Sequence, residues 1–364
     1  MPEAEHLSTT HRPHALSLHS IACSPLFRKQ LSASWTGSHT PVLLVGEEGS
    51  GKHYIARRLA AAMLCDAPDP ETGACGQCAS CRTLLQGSHP DLIELEPLED
   101  KTSIPVASVR EEVSATLPVY PQISRHRVYV ISAAKSDTLT EQGQNALLKP
   151  LEEHPDFVRF ILLTEDAGRL LPTILSRSRV IRIGRRDEGA ILNLLKEAGY
   201  EGEIGDLAVR YADGLPGRAL TIAGDEDFRA LRDQTVAIFR QLPEATRAYC
   251  LTEGLQFFRD HKARVAVILR ILESLLRDLL VLLQNGDGAV LVNRDLSSVF
   301  LAMRGRANEM DPAMAGELIR QTNHALSNNT NFDHTMARLL LGLRAFLGPK
   351  TDARDTFRLK AAIV

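Results

Sequence analysis

Gly46-Glu47-Glu48-Gly49-Ser50-Gly51-Lys52-His53 is the stretch on which the fold turns. Gly46, Gly51 and Lys52 stand at the spacing G-x-x-x-x-G-K-[ST] of a phosphate-binding loop, with Gly49 as a further glycine within it. In such a loop, backbone N–H groups and a lysine ammonium cradle phosphate oxygens. His53 occupies the position of the hydroxyl that would bind magnesium. Upstream, Pro41-Val-Leu-Leu-Val45 is a short apolar run suited to a buried parallel strand. Downstream, Tyr54 to Leu64 carries apolar residues at helical spacing. Strand, loop and helix in that order aim the helix's free N–H groups and positive dipole end at an anion. A glycine turn that merely joins strand to helix accounts for less, since it requires neither Lys52 nor the full spacing.

Hydrolysis of a nucleotide needs more than a cradle. An acidic strand end must hold magnesium and help orient the attacking water. The best candidate strand, Arg127-Val-Tyr-Val-Ile131, runs instead into Ser132-Ala133-Ala134-Lys135, and Asp137 beyond it suits a turn or a helix cap. With both magnesium contacts missing, at His53 and at Ser132-Ala133, neither bound magnesium nor fast turnover is expected. Lys52 can still hold a phosphate passively, so the sequence leaves ATP binding open.

A second constellation follows the loop helix: Cys65, then Cys75-Gly-Gln-Cys78-Ala-Ser-Cys81, amid Pro, Gly, Asp and Ser. Four thiols, three of them at C-x2-C-x2-C spacing, suit the closed tetrahedral set of a structural zinc. A disulfide framework is the competing reading. Only six cysteines in 364 residues, with no secretory pattern at the N-terminus, favour a metal in a reducing, cytoplasmic setting. Cys23 and Cys250 are expected as small packed side chains. A zinc-dependent nucleic-acid-binding module is disfavoured, because the cluster has only Arg82 nearby.

The formal net charge of −3 excludes a protein that coats nucleic acid by bulk charge, while leaving room for a local basic path. Residues 1–14 read as a flexible tail. The most apolar helical stretch, Val265 to Leu283, is interrupted by Arg270, Glu273, Arg277 and Asp278 and is not membrane-spanning. Punctuation and period divide the chain into an α/β core at 15–183, with the cysteine insertion at 65–81, a short helical stretch at 184–224 and an all-helical region at 225–364. In the last, Val265, Ile268, Leu269, Leu272, Leu276 and Leu279, and later Met336, Leu339, Leu340, Leu343 and Phe346, recur at helical spacing. Asn285-Gly-Asp-Gly288 and Ser327 to Asn331 suit loops between these helices.

Within the core, Asn145-Ala-Leu-Leu-Lys-Pro-Leu-Glu-Glu-His-Pro155 precedes a buried-type strand, Phe157 to Leu163, ending at Thr164. Ser176-Arg177-Ser178 and a last short strand, Val180 to Ile183, follow. Together with the cysteine insertion directly after the loop helix, these motifs resemble the delta-prime family of bacterial DNA polymerase III clamp loader subunits, within the AAA+ proteins. The resemblance covers most of the first 220 residues. It implies a P-loop parallel sheet with helices on both faces, a small helical lid and an all-α collar that joins subunits into a ring.

The same resemblance implies gamma/tau and delta subunits as partners, and the sliding clamp and primed DNA as targets of the complex. Arg177 falls where the family places an arginine finger that reaches a neighbouring gamma/tau subunit's nucleotide. The chemistry fits, since a guanidinium is always charged and forks onto phosphate oxygens. Thr164 falls at the sensor-1 position. Gly214-Leu-Pro-Gly-Arg-Ala219 resembles the sensor-2 segment, with Gly217 rather than Arg218 at the usual arginine. Gamma/tau motor subunits keep the loop hydroxyl and the acidic strand end. Their loss here points to a non-hydrolysing partner, the alternative being a subunit that binds or hydrolyses ATP itself. Pro150 departs from the family pattern and is expected to kink its helix.

Overall fold

The computed structural model describes residues 16–18, 21, 25–36, 39–97, 103–133, 138–286, 291–304, 312–328 and 330–348. The tail at 1–14, Cys23 and Asp137 lie outside the described residues, as do parts of both expected loops, at 287–288 and at 329.

Five short apolar runs form one sheet: β1 Val42–Val45, β2 Leu92–Leu95, β3 Arg127–Ala133, β4 Val158–Thr164 and β5 Arg179–Arg182, in the order β2-β3-β4-β1-β5. Every strand pair in it is parallel. β3 and β4 are buried along their whole length, as expected of strands covered on both faces. Because side chains alternate across the pleat, each strand feeds two cores. Val42, Leu44, Val128, Val130, Ile161 and Leu163 pack under α1 Pro25–Ser32, α2 Lys52–Leu64 and α3 Ala79–Leu85. Leu43, Tyr129, Ile131, Phe160 and Leu162 face the opposite side. That side is covered by the π-helical turn Val109–Ser114, which follows α4 Val106–Ser108, and by α5 Glu141–Glu152 and α6 Pro172–Arg177. Each fully buried Leu or Ile in these cores contributes about 1.5–3 kcal/mol.

Thr140 caps α5, its hydroxyl accepting from the N–H of Gly143 at 3.2 Å. The helix does not stop at Pro150. It continues to Glu152, so the proline sits in the last turn and its missing N–H removes only the bond to the Ala146 carbonyl.

Three helices follow the sheet: α7 Glu188–Glu197, α8 Glu203–Ala212 and α9 Pro216–Ala223. They share a small core of Ile191, Leu195, Ala208, Val209, Ala212, Ala219 and Ala223. The chain divides into two compact units between Ala223 and Gly224. The second is helical among its described residues: α10 Phe228–Gln241, α11 Arg247–Leu251, α12 Glu253–Asp260, α13 Val265–Asn285, α14 Ser297–Arg304, α15 Pro312–Ser327 and α16 Phe332–Leu347. The apolar stripes of α13 and α16 are buried. Asp278 interrupts the first of them for a structural reason. Its fully buried carboxylate accepts from the N–H groups of Val292 at 2.9 Å and Asn293 at 2.6 Å, pinning the chain beyond α13. No helix among the described residues is long and apolar enough to cross a membrane.

Candidate functional site

The phosphate loop leaves the C-terminal end of β1 beside that of β4, where Gly46 N–H donates to the Thr164 carbonyl at 3.0 Å. Gly49 and Gly51 take φ of +82° and +87°, left-handed values that favour glycine and let the loop curl onto α2. Lys52 opens α2 but is only 4% exposed. Its ammonium turns back into the loop, donating to the carbonyls of Gly46 at 2.6 Å and Glu47 at 3.0 Å, with Glu165 Oε1 3.8 Å away. Burial pulls the Lys52 pKa down, against the opposing charges of Glu165, Glu48 and Glu47. Ser50 Oγ is buried in the same loop without a hydrogen-bond partner. It lies 2.7 Å from the point a Cβ on Gly46 would occupy.

Two described positions at which such loops hold magnesium carry other side chains here. His53 Nδ1 lies 3.3 Å from Glu96 Oε1, and this hydrogen bond holds the Glu96 carboxyl below the usual range. Ser132 and Ala133 end β3 as buried residues with no carboxylate to offer. Thr164, at the expected sensor position, spends its hydroxyl locally. Its Oγ1 donates to the Asp166 carbonyl at 3.1 Å and accepts from the Asp166 N–H at 3.2 Å.

The segment after the sheet touches this loop at two places. Gly217, at the start of α9, donates its N–H to the Gly49 carbonyl at 2.8 Å. Arg185 forks onto the Glu47 carboxylate, with Nε to Oε1 at 3.1 Å and Nη2 to Oε2 at 3.0 Å, while Nη1 pairs with Asp213. The Arg185 hydrogen bond holds the Glu47 carboxyl below its ordinary range. Asp213 ends α8 at φ +51° in the left-handed region. A short carboxylate side chain is among the few that accept this conformation.

Arg177 is the last residue of α6. Its guanidinium is partly exposed and pairs with Glu152 at the end of α5. Nη1 also donates to the Thr173 carbonyl at 3.0 Å, a favourable place for a cation at a helix C-terminus. The two flanking serines hold the turn: Ser176 Oγ donates to the Thr173 carbonyl at 3.0 Å and Ser178 Oγ to that of Ile174 at 2.8 Å.

At the other end of α2, Cys65 follows its last residue, and Cys78 caps the short α3. The sulfurs of Cys65, Cys75, Cys78 and Cys81 all lie within 4.8 Å of one another, the one such cluster of metal-binding side chains among the described residues. The Cys75–Cys81 pair is 3.9 Å apart and the Cys65–Cys78 pair 4.0 Å. A tetrahedral ion with bonds of about 2.3 Å would set such pairs about 3.8 Å apart, so the donor set fits. Backbone N–H groups already turn toward the sulfurs: Cys75 N to Cys65 Sγ at 3.2 Å, Cys78 N to Cys75 Sγ at 3.4 Å and Cys81 N to Cys78 Sγ at 3.4 Å. Burial pushes the Cys65 thiol up to about 11. At Cys75 the effect of burial is outweighed by N–H donation from Gln77 and Cys78, which brings that thiol down to about 7. The remaining described cysteine, Cys250, is fully buried in the helical unit.

The side chains that sequence reading missed are the partners of these groups: Glu47, Arg185 and Asp213 over the loop, Glu165 and Glu96 beside it, and Glu152 under Arg177. Arg185 and Glu47 are 138 positions apart, and no local pattern links them.

A family model described as DNA polymerase III, delta subunit, matches residues 26–187. The chain is 28% identical to Escherichia coli DNA polymerase III subunit delta' over 89% of its own length and 95% of that protein. It is 26% identical to the Bacillus subtilis subunit delta' over 83% of its length and 90% of that protein. With the Pseudomonas aeruginosa subunit delta' it shares 38% identity over 37% of this chain, a stretch that spans 40% of that relative. Among solved structures, a Thermotoga maritima protein described as DNA polymerase III gamma subunit-related aligns at 17% identity with a TM-score of 0.49, over 88% of this chain and 99% of that one. The chain is thus similar nearly end to end to two DNA polymerase III delta' subunits, and that similarity accompanies a five-stranded parallel sheet, a glycine loop with a lysine at the head of α2, and a helical unit.

Proposed function

We propose that this chain is a non-hydrolysing subunit of a DNA polymerase III clamp loader. It donates Arg177 to the nucleotide of an adjacent gamma/tau subunit and helps load the sliding clamp onto primed DNA. One observation carries the reading. Beside Lys52, His53 takes the place of the loop hydroxyl and faces Glu96, and β3 ends in Ser132-Ala133 rather than in carboxylates, whereas Arg177 sits partly exposed at a helix end. Phosphoryl transfer depends on positioning and charge stabilisation, so a chain without these contacts contributes to a neighbour's site rather than running its own.

To act on a neighbour's phosphate, Arg177 exchanges Glu152 for phosphate oxygens. This exchange of one anion for another leaves the guanidinium paired throughout. Glu152 is thereby a positioning residue that holds the side chain ready at the end of α6. Cys65, Cys75, Cys78 and Cys81 hold a structural zinc that stiffens the insertion at the far end of α2. The helical unit from Gly224 onward serves as the collar that binds the gamma/tau and delta subunits.

The test is steady-state ATP turnover by the purified chain. No significant hydrolysis is expected with or without magnesium. Magnesium-dependent turnover comparable to that of a gamma/tau subunit, and abolished by Lys52→Ala, would show instead that the chain is an ATPase in its own right.

A further inference from the structure

The opposite pole of the sheet, where the strands begin, gathers positive charge. Three arginines are buried among the described residues, and two of them are paired: Arg127 with Asp91 at 3.9 Å and Arg232 with Asp295 at 2.8 Å. The third, Arg159, is only 8% exposed near the start of β4 and forms no such pair. The opposing charge that acts on it is that of Asp156, an exposed residue. Its guanidinium donates through Nη1 to the carbonyls of Asp156 at 2.6 Å and Val158 at 2.7 Å, and through Nη2 to His126 Nε2 at 3.1 Å. Three of its five N–H groups are used in these contacts, and two are left for a further acceptor. A buried cation without a paired anion is costly.

Histidines flank this arginine at the heads of three neighbouring strands: His39 before β1, His126 before β3 and His154 before β4. The His126 ring is neutral by its contacts, since Nδ1 donates to the Met63 carbonyl at 2.8 Å and Nε2 accepts from Arg159. His154 differs. Its Nδ1 faces the Pro150 carbonyl and its Nε2 the His39 carbonyl, each at 3.2 Å, and only an imidazolium donates to both. Burial opposes that charge, and so does repulsion from Arg159 and His39. Burial likewise disfavours charge on His126, as do Arg159, His39 and Arg125. An oxyanion answers all of these groups at once. It accepts from the two spare N–H groups of Arg159, offsets the mutual repulsion and lets His154 hold its second proton.

We infer that Arg159, with His39, His126 and His154 around it, forms a phosphate-binding site at the heads of β1, β3 and β4. The ligand is a phosphate group, either free inorganic phosphate or a phosphodiester of DNA. Binding takes up a proton at His154, so it tightens as the pH falls through the histidine range, about 6.5 for an unperturbed ring. The site requires neither nucleotide turnover nor Arg177, and goes beyond the clamp-loading reading.

The test is calorimetric titration of the full chain with inorganic phosphate at about pH 6 and about pH 8, in buffers of different ionisation enthalpy to count protons. A short primed DNA duplex serves as competitor. The variants are Arg159→Met and His154→Gln, with far-ultraviolet circular dichroism as the check on folding. His154 lies outside the strands, so its variant keeps the test open where Arg159→Met does not fold.

The wild type should bind phosphate saturably with proton uptake, and at least about tenfold more weakly at the higher pH and in each folded variant. Displacement of phosphate by the duplex would identify the ligand as a DNA phosphodiester, and retention would identify it as free phosphate. No saturable phosphate binding by the wild type would overturn the site. Binding that is indifferent to pH and to both substitutions would overturn it equally, by showing that phosphate sits elsewhere.

Discussion

The two ends of α2 carry the two motifs that stand out in the sequence, and they have met different fates. At the C-terminal end, Cys65 joins Cys75, Cys78 and Cys81 with all sulfurs turned to a common centre and backbone N–H groups directed at them. At the N-terminal end, Lys52 and the glycines keep their spacing, but the lysine binds loop carbonyls and the lid binds Gly49. A motif's spacing therefore reports where chemistry could be built. Which partners its groups take is settled by the folded loop and by residues far away in the chain, here Gly46 and Glu47 for Lys52, Arg185 for Glu47 and Gly217 for Gly49.

The thiol end should be the more sensitive of the two. Cys78→Ser is expected to abolish metal binding, since a three-thiolate set with one hydroxyl loses a soft ligand. Structural zinc is worth on the order of 10 kcal/mol in peptides that depend on it. A domain with two cores of its own should lose only a part of that, seen as a lowered melting temperature and raised proteolysis across residues 65–81. Metal analysis of the variant beside the wild type decides the matter, and equal zinc in both would show that the ligands lie elsewhere.

At the loop end the effect should be smaller and of another kind. In a working nucleotide site, Lys52→Ala would destroy function. Here it should cost about 1–3 kcal/mol of stability by leaving two loop carbonyls without this donor. Clamp loading by the reconstituted complex should be unchanged. Denaturant unfolding and a loading assay together separate the two cases, and a loading defect in a stable variant would contradict a purely structural lysine.

The fold class was legible because its strands are apolar runs of the right length and its helices keep their period. Glu152, Glu165 and the Arg185 bridge were not, because each is a pairing across the fold between residues that look like solvated surface charges in sequence. Asp278 is a similar case: it reads as a charge that spoils an apolar helix, yet the structure uses it as a buried acceptor for two backbone N–H groups. The lid contact was half visible. The resemblance sets Gly217 where an arginine is usual, but nothing in the sequence says that the glycine lets α9 sit on the loop.

The most direct measurement of the central claim is clamp-stimulated ATP hydrolysis, with clamp loading, by a reconstituted complex carrying Arg177→Ala. An arginine supplied in trans is worth about 10³–10⁵ in rate in single-site GTPases, and a complex with several active interfaces should lose less, since only one is affected. The variant should fold, bind zinc and assemble, because the contacts of Arg177, to Glu152, the Thr173 carbonyl and Ser176 Oγ, are all partly exposed or exposed. Reduced hydrolysis and slower loading are the expected results. Wild-type rates from a fully assembled variant complex would contradict the finger and leave the subunit a scaffold.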